Sequence, residues 1–195
     1  MSRFLALALL CSGFGFAAPA VHILIAYHSE TGNTEKMAAS VREGAASVEG
    51  AAVTLRKLAD VSDDDIRAAD GIVLGTPVQW ANLSAGAKRF LDRVGEVLGK
   101  AGRTYGEGRT AGVFCTAGSP SNGQEMARLG AITAFLAMRF VIVGGVNSAE
   151  FGTLGPQAVT GGSPPGVGAS DRTEARRFGE RFTRVTLRLR SPAAR

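Results

Sequence analysis

Two cysteines, Cys11 and Cys115, and two histidines, His22 and His28, are all that 195 residues hold of those residue types. They form no Cys/His cluster of metal-ligand spacing, and two thiols cannot build a disulfide framework. No Lys follows a glycine in the G-K-[ST] manner, which excludes a Walker A loop for nucleoside triphosphates. Aromatic residues make up only 7% of the chain, with Trp80 the sole tryptophan. No apolar run reaches the roughly 20 residues that a bilayer-spanning helix needs. Charged residues account for 20% and apolar ones for 45% of the sequence, so a folded domain is expected rather than a disordered chain. The length suits one domain with a core of its own.

Residues 1–20 differ from the rest. Arg3 precedes FLALALLCSGFGFAAP, and Ala18-Pro19-Ala20 fits an A-x-A cleavage site. This is the pattern of a secretory signal peptide, with Val21 as the mature start and the domain over 21–195. It predicts an exported or periplasmic protein; the alternative is a cytoplasmic protein with an over-extended start. After cleavage Cys115 is the single thiol. The net charge of +5 is uneven: Asp171 to Arg195 carries eight arginines and three acids, while residues 21–170 sum to −1. A solvated helix face explains this basic end better than a nucleic-acid surface, and peripheral membrane contact through it stays open.

Apolar runs alternate with helical patterns along the chain. Strands are predicted at 21–27, 52–58, 71–76, 111–117 and 140–144. Four are near-continuous apolar runs, as in strands buried on both faces. AVTLRKL at 52–58 alternates instead, which suits an edge. Helical stripes are expected at Met37, Val41, Ala45 and Val48, and at Phe90, Leu91, Val94 and Leu98. A third runs through Met126, Leu129, Ile132 and Leu136, and a fourth through Ala175, Phe178, Phe182, Val185 and Leu189. Ser62 and Asp65 have capping-box spacing before a short helix ending near Asp70. The sum is an α/β fold, a flavodoxin-like doubly wound five-stranded parallel sheet of order 2-1-3-4-5. Residues 144–170, with eight glycines and three prolines, have no helical period. A lid, an oligomer contact and a surface excursion are all open there.

In such a sheet, ligands lie beyond the carboxyl ends of the strands, where the strand order reverses. Loops 28–34, 77–85 and 117–124 should meet at that point. In the first, HSETGNT, Gly32 permits close backbone approach and Ser29, Thr31 and Thr34 can donate hydrogen bonds at a helix start. That composition suits a phosphate monoester, with a helix start capped by Ser29 or Thr31 as the alternative. In GTPVQWANLS, Pro77 ends the third strand and Trp80 is offered to a flat ligand, or else covers the core. CTAGSPSNGQE supplies small residues for close approach to a planar ring.

Together these residues carry a resemblance. SETGNT at 29–34 is similar to the flavodoxin FMN-phosphate loop. GTPVQWANLSAGAKRFLD, GVFCTAGSPSNGQE, AVTGG at 158–162 and EARRFGERF at 174–182 resemble blocks of the NAD(P)H:quinone oxidoreductases of the Trp-repressor-binding-protein (WrbA) type. The resemblance spans roughly residues 21–190. It implies an FMN-dependent oxidoreductase, a homo-oligomer (dimer or tetramer) that passes electrons from NAD(P)H to quinones or similar flat acceptors. It implies that Ser29, Glu30, Thr31, Gly32, Asn33 and Thr34 hold the FMN phosphate. Val78, Gln79, Trp80 and Asn82, above Pro77, would flank the isoalloxazine, and Thr116, Ala117, Gly118 and Ser119 would bind its edge and ribityl chain. No catalytic side chain is implied, because the cofactor carries the chemistry. The chain departs from the family at Gln79-Trp80-Ala81 (Arg, Phe or Tyr, and Gly there), at Leu98 (a substrate-side Trp) and around Met138-Arg139-Phe140 (His-His-Gly). The segment between the second and third strands is also shorter. A flavodoxin-type electron carrier and a flavin-free binding module are the alternative functions.

Overall fold

The computed structural model describes residues 21–102, 104–145, 152–161 and 165–190. The signal-like segment lies outside them. Val21–Tyr27 (β1) and Gly71–Gln79 (β3) form the middle of a parallel sheet with Thr110–Ala117 (β5) beside β3. Ala51–Lys57 (β2) lies on the edge next to β1, half-buried along most of its length, as its alternating sequence predicts. The order β2-β1-β3-β5-β6, with Val141–Ile142 as β6, is the predicted 2-1-3-4-5 succession. Two short strands add to it. Asn82–Leu83 (β4) turns back antiparallel on β3, and Gln157–Val159 (β7) pairs parallel with β5.

Two layers of helix cover the sheet. Asn33–Ala46 (α1) and Ala169–Arg190 (α5) pack on Ile23, Ile25, Val73 and Phe114. Asp63–Ala68 (α2), Ala85–Lys100 (α3) and Gln124–Ala137 (α4) pack on Leu24, Leu74, Ala111 and Val113. Both faces of the central strands are therefore dry, which is why they read as unbroken apolar runs. α1 and α5 touch backbone to backbone. A Cβ on Gly44 would fall 1.8 Å from the carbonyl oxygen of Arg176, and one on Gly179 would fall 2.0 Å from that of Val41. At α2 the capping box is complete. Ser62 Oγ accepts from the Asp65 amide, and the Asp65 carboxylate accepts from the Ser62 amide and from the Ser62 hydroxyl, which together hold it below the usual range.

The structure corrects the sequence in four places. The fifth strand is not 140–144: only Val141 and Ile142 pair with β5, at Thr110 and Ala111. The chain then leaves the sheet and returns as β7 opposite Cys115, Thr116 and Ala117, so the last strand is split. The glycine-rich 144–170 thus includes the second half of an edge strand. On α4 the stripe is rotated. Met126, Leu129 and Leu136 are exposed, and the buried side is Ala127, Arg128, Ala131, Ile132 and Phe135. On α5, Leu189 is exposed while Thr183 and Thr186 are buried. Pro77 does not end β3 but pairs in register with Thr116. Its missing N–H costs nothing, because β1 has already ended at Tyr27, opposite Gly75.

Candidate functional site

β1, β3 and β5 point their carboxyl ends at one crevice, and the three predicted loops meet there. The first runs from His28 into α1. Gly32 takes the left-handed conformation (φ 83°) as the N-cap residue of α1, with no side-chain cap. Neither Ser29 nor Thr31 therefore caps the helix in the way its composition allowed. Ser29 Oγ accepts from the Gly32 amide (3.1 Å) and Thr31 Oγ1 from the Asn33 side chain (3.2 Å). Each hydroxyl keeps its own hydrogen to donate. Nothing lies within 4 Å of where a Gly32 Cβ would be. An open helix start lined by O–H and N–H donors suits a phosphate.

The nearby carboxylates are engaged elsewhere. Glu35 accepts from the Tyr27 hydroxyl (2.8 Å) and faces Lys57 Nζ (3.9 Å). Burial, followed by that bond to Glu35, pushes the Tyr27 hydroxyl up to about 12, so it stays a neutral donor. Glu30 accepts from Gln79 Nε2 (2.8 Å), which ties the first loop to the second. His28 adds a further tie: its Nδ1 lies 2.8 Å from the Ser84 hydroxyl. Ser84 in turn caps α3, and its amide donates to Thr76 Oγ1 on β3 (3.1 Å).

The second loop is a tight hairpin. Val78 pairs with Leu83 and Gln79 with Asn82 around Trp80 and Ala81. Both turn residues have positive φ, 50° and 58°. This is a turn that favours glycine or asparagine and here has neither. Trp80 is fully exposed, so it covers no core; it stands at the crevice with its ring free. Asn82 is exposed and its Oδ1 accepts from the Leu83 amide (2.8 Å). The left-handed strain predicts that Ala81→Gly raises stability. Relief of about 1–2 kcal/mol outweighs the roughly 0.5–1 kcal/mol of added chain entropy. A urea midpoint at or above wild type is the expected reading.

The third loop closes the crevice. Thr116 Oγ1 lies 2.8 Å from Thr34 Oγ1, both side chains being buried, so one hydroxyl donates to the other and one hydrogen stays free. Gly118 and Ser119 are exposed beyond Ala117. Buried Gln124 braces this loop by donating to Ser119 O (2.9 Å) and accepting from the Asn122 amide (2.8 Å). Gly123 (φ 90°) presses its Cα on the hairpin; a Cβ there would meet Ala81 Cα at 2.4 Å. Cys115 lies beneath as a buried thiol, pushed up to about 12 by burial, and is inert as a nucleophile.

The predicted site residues lie at the ends of β3 and β5 and on the three segments that follow β1, β3 and β5, with Thr34, Thr116 and Ala117 buried beneath. Sequence reasoning missed a fourth contributor. Thr160, just after β7, donates to Ala117 O through its amide (2.8 Å) and hydroxyl (3.1 Å), and Gly161 lies against Gly118. It also missed Arg128, which is 1% exposed. That guanidinium donates to Gln124 O (3.2 Å), Gly155 O (2.6 Å) and Gln157 Oε1 (2.7 Å), fastening β7 to α4. AVTGG in the sequence was a signal for the first; an arginine among apolar neighbours gives none for the second. Leu98 is a core residue, and Arg139 pairs with Glu107 (3.9 Å) away from the crevice. A cavity of about 610 Å³ lies at the amino ends of the strands, where Arg190 is paired with Asp70 (3.0 Å). Among the described residues no His, Cys, Asp or Glu cluster fits a metal ion, and no helix is long and apolar enough to cross a membrane.

The chain is also similar to known proteins. A protein from Aquifex aeolicus named flavodoxin is 33% identical over 163 residues, covering 82% of this chain and 84% of its own. An NAD(P)H dehydrogenase (quinone) from Solidesulfovibrio magneticus is 28% identical over 207 residues, covering 88% of this chain and 100% of its own. A crystal structure described as a flavodoxin, WrbA-like protein from Agrobacterium tumefaciens superposes with a TM-score of 0.69 at 23% identity. It covers 85% of this chain and 97% of its own, which shows the shared flavodoxin-like fold. The family described as NADPH-dependent FMN reductase matches residues 19–153, and the chain belongs to that family.

Proposed function

We propose that this chain holds FMN in the crevice and passes electrons from NAD(P)H to quinones or similar flat acceptors. The observation that carries the reading is the α1 start. It is capped by a left-handed glycine, carries no side-chain cap, and faces Ser29 and Thr31 hydroxyls that keep their hydrogens. Those groups hold the phosphate, while the Glu30–Gln79 and Thr34–Thr116 bonds fix the spacing of the loops around the ring. Trp80 offers an aromatic face to a flat ring. FMN, when bound, supplies the two-electron chemistry between nicotinamide and acceptor. The protein supplies binding, orientation and a buried base that keeps water from below the ring.

Copies of the chain meet, in this reading, through the exposed apolar side of α4 (Met126, Leu129 and Leu136), giving a dimer or tetramer. The arginines along the exposed face of α5 offer a peripheral membrane contact in this reading, and residues 1–20 direct export. Titration of residues 21–195 with FMN, followed by visible absorption, tests the central claim. The wild type shifts the flavin spectrum and saturates. Thr31→Leu, at an exposed position, weakens binding by roughly 10- to 100-fold, the worth of a hydrogen bond to a charged group. No spectral shift at saturating FMN overturns the reading and leaves the flavin-free module. The flavodoxin relative favours a second reading, an electron carrier without a substrate of its own. Steady-state NAD(P)H oxidation with a soluble quinone separates the two, since a carrier alone shows almost none.

A further inference from the structure

The loop assigned above to a phosphate holds no fixed positive charge. Residues 29–34 contain one carboxylate, Glu30, and neither lysine nor arginine. The other acid close by, Glu35, is bonded by the Tyr27 hydroxyl and faces Lys57. Glu30 has no such cation. Its Oε1 accepts from the neutral Gln79 amide (2.8 Å), and the one ionisable group it meets among the described residues is His28, with Nε2 3.7 Å from the same oxygen.

His28 is held for that contact from its other side. Nδ1 lies 2.8 Å from Ser84 Oγ, a buried hydroxyl that also caps α3. A hydroxyl both donates and accepts, so this anchor serves the ring with one proton or with two. The ring otherwise borders a small cleft with Leu58, Ala59 and Phe90, and with Arg89 and Arg93 of α3. Arg93 is paired with Asp63 of α2 (2.6 Å), and Arg89 is exposed. Both arginines keep their charge wherever histidine titrates. Of all these groups, only His28 changes charge between about pH 5 and 8.

We propose that His28 is a proton-linked positioning residue for the phosphate loop: its protonated ring offsets the Glu30 carboxylate and so couples FMN binding to the uptake of a proton. The inference rests on the FMN reading above. An anionic phosphate is disfavoured by a bare carboxylate in its own loop and favoured once that carboxylate has a cation beside it. Linkage fixes the sign: a ligand that favours the protonated ring binds more tightly as the pH falls through the range in which the ring titrates. The side chains of His28 and Glu30 are 29% and 64% exposed, so water and salt keep the coupling modest.

The test titrates FMN into residues 21–195 between about pH 5.5 and 8.5, for the wild type, His28→Gln and Glu30→Gln. The FMN phosphate itself gains a proton near pH 6, equally for every variant, and cancels when proteins are compared at one pH. The ratio of dissociation constants, His28→Gln over wild type, is about three- to fivefold larger at the acid end than at the alkaline end, as suits a partly exposed ion pair. Calorimetry in two buffers of different ionisation enthalpy finds the wild type taking up more of a proton on binding than His28→Gln. Glu30→Gln keeps an acceptor for Gln79 and removes the charge. It binds FMN more tightly than the wild type at the alkaline end and converges with it at the acid end, where His28 already offsets the carboxylate. Parallel pH profiles for the wild type and His28→Gln overturn the proposal, as does a Glu30→Gln gain of the same size at both ends. No FMN binding by the wild type at any pH defeats the flavin reading itself, and the proton linkage falls with it.

Discussion

Gly44→Ala lowers the stability of the fold by upwards of about 3 kcal/mol, at the top of the range for overpacking a tight contact. The opposing gain in helix propensity is at most about 1 kcal/mol. The added Cβ would lie 1.8 Å from Arg176 O and 2.7 Å from its carbonyl carbon, and both are backbone atoms that no rotamer change can move. α5 must shift away from α1, and Phe178 and Phe182, which fill the core behind the crossing, shift with it. Gly179→Ala does the same from the other helix, against Val41 O at 2.0 Å and the Ala45 amide at 2.9 Å. For a domain of this size each kcal/mol moves the melting temperature by roughly 2–4 °C, so a drop near 10 °C is expected for either variant. Gly86→Ala is the control, since its new Cβ meets nothing nearer than 3.6 Å. Wild-type melting of both crossing variants would show that the helices separate without cost.

The second large effect falls on the crevice. Gly123→Ala places an L-residue at φ 90° and drives its Cβ into the backbone of Ala81, 2.4 Å from Cα and 2.5 Å from O. The left-handed conformation alone costs about 1–2 kcal/mol. The collision adds more and is relieved only by pushing the Trp80 hairpin off α4. FMN affinity in this variant falls by more than tenfold together with stability. Gly118→Ala separates those two quantities. Its Cβ meets nothing within 4 Å and its φ is not positive, so the fold is untouched. If the flavin edge passes over Gly118, this variant keeps the wild-type urea midpoint and binds FMN more weakly. A Gly118→Ala protein with wild-type FMN affinity places the ring elsewhere, and a Gly123→Ala protein with wild-type affinity means the hairpin takes no part in binding.

The central sheet was legible because strands buried on both faces leave an unbroken apolar record, and because β2, with one face wetter, leaves an alternating one. The capping box at Ser62 and the buried stripes of α1 and α3 were legible for the same reason: the contacts that decide them are local. α4 was misread because its large residues face outward. Met126, Leu129 and Leu136 outweigh Ala127 and Ala131 in any periodic pattern, yet the small residues let the helix lie close to β5. Arg128 sits in that buried stripe, and its burial is made tolerable by Gln124 O and the Glu125 carboxylate on its own helix and by oxygens delivered from the distant Gly155 and Gln157. The split edge strand depends on the same distant segment. That the loops after β1, β3 and β5 lie at one end of the sheet could be read from the sequence. The bonds between them, from Glu30 to Gln79 and from Thr34 to Thr116, join positions that only the fold makes neighbours.

The crossing of α1 and α5 also bears on how the molecule is made. α1, with Met37, Val41 and Ala45 along one side, leaves the ribosome well before α5, whose Phe178 and Phe182 complete that layer. Between the two events the nascent sheet can close its α2–α3–α4 face, because those helices are translated in between. The other face is covered by α1 alone until α5 emerges. Until then a growing chain carries a half-clad sheet and offers an apolar surface to chaperones.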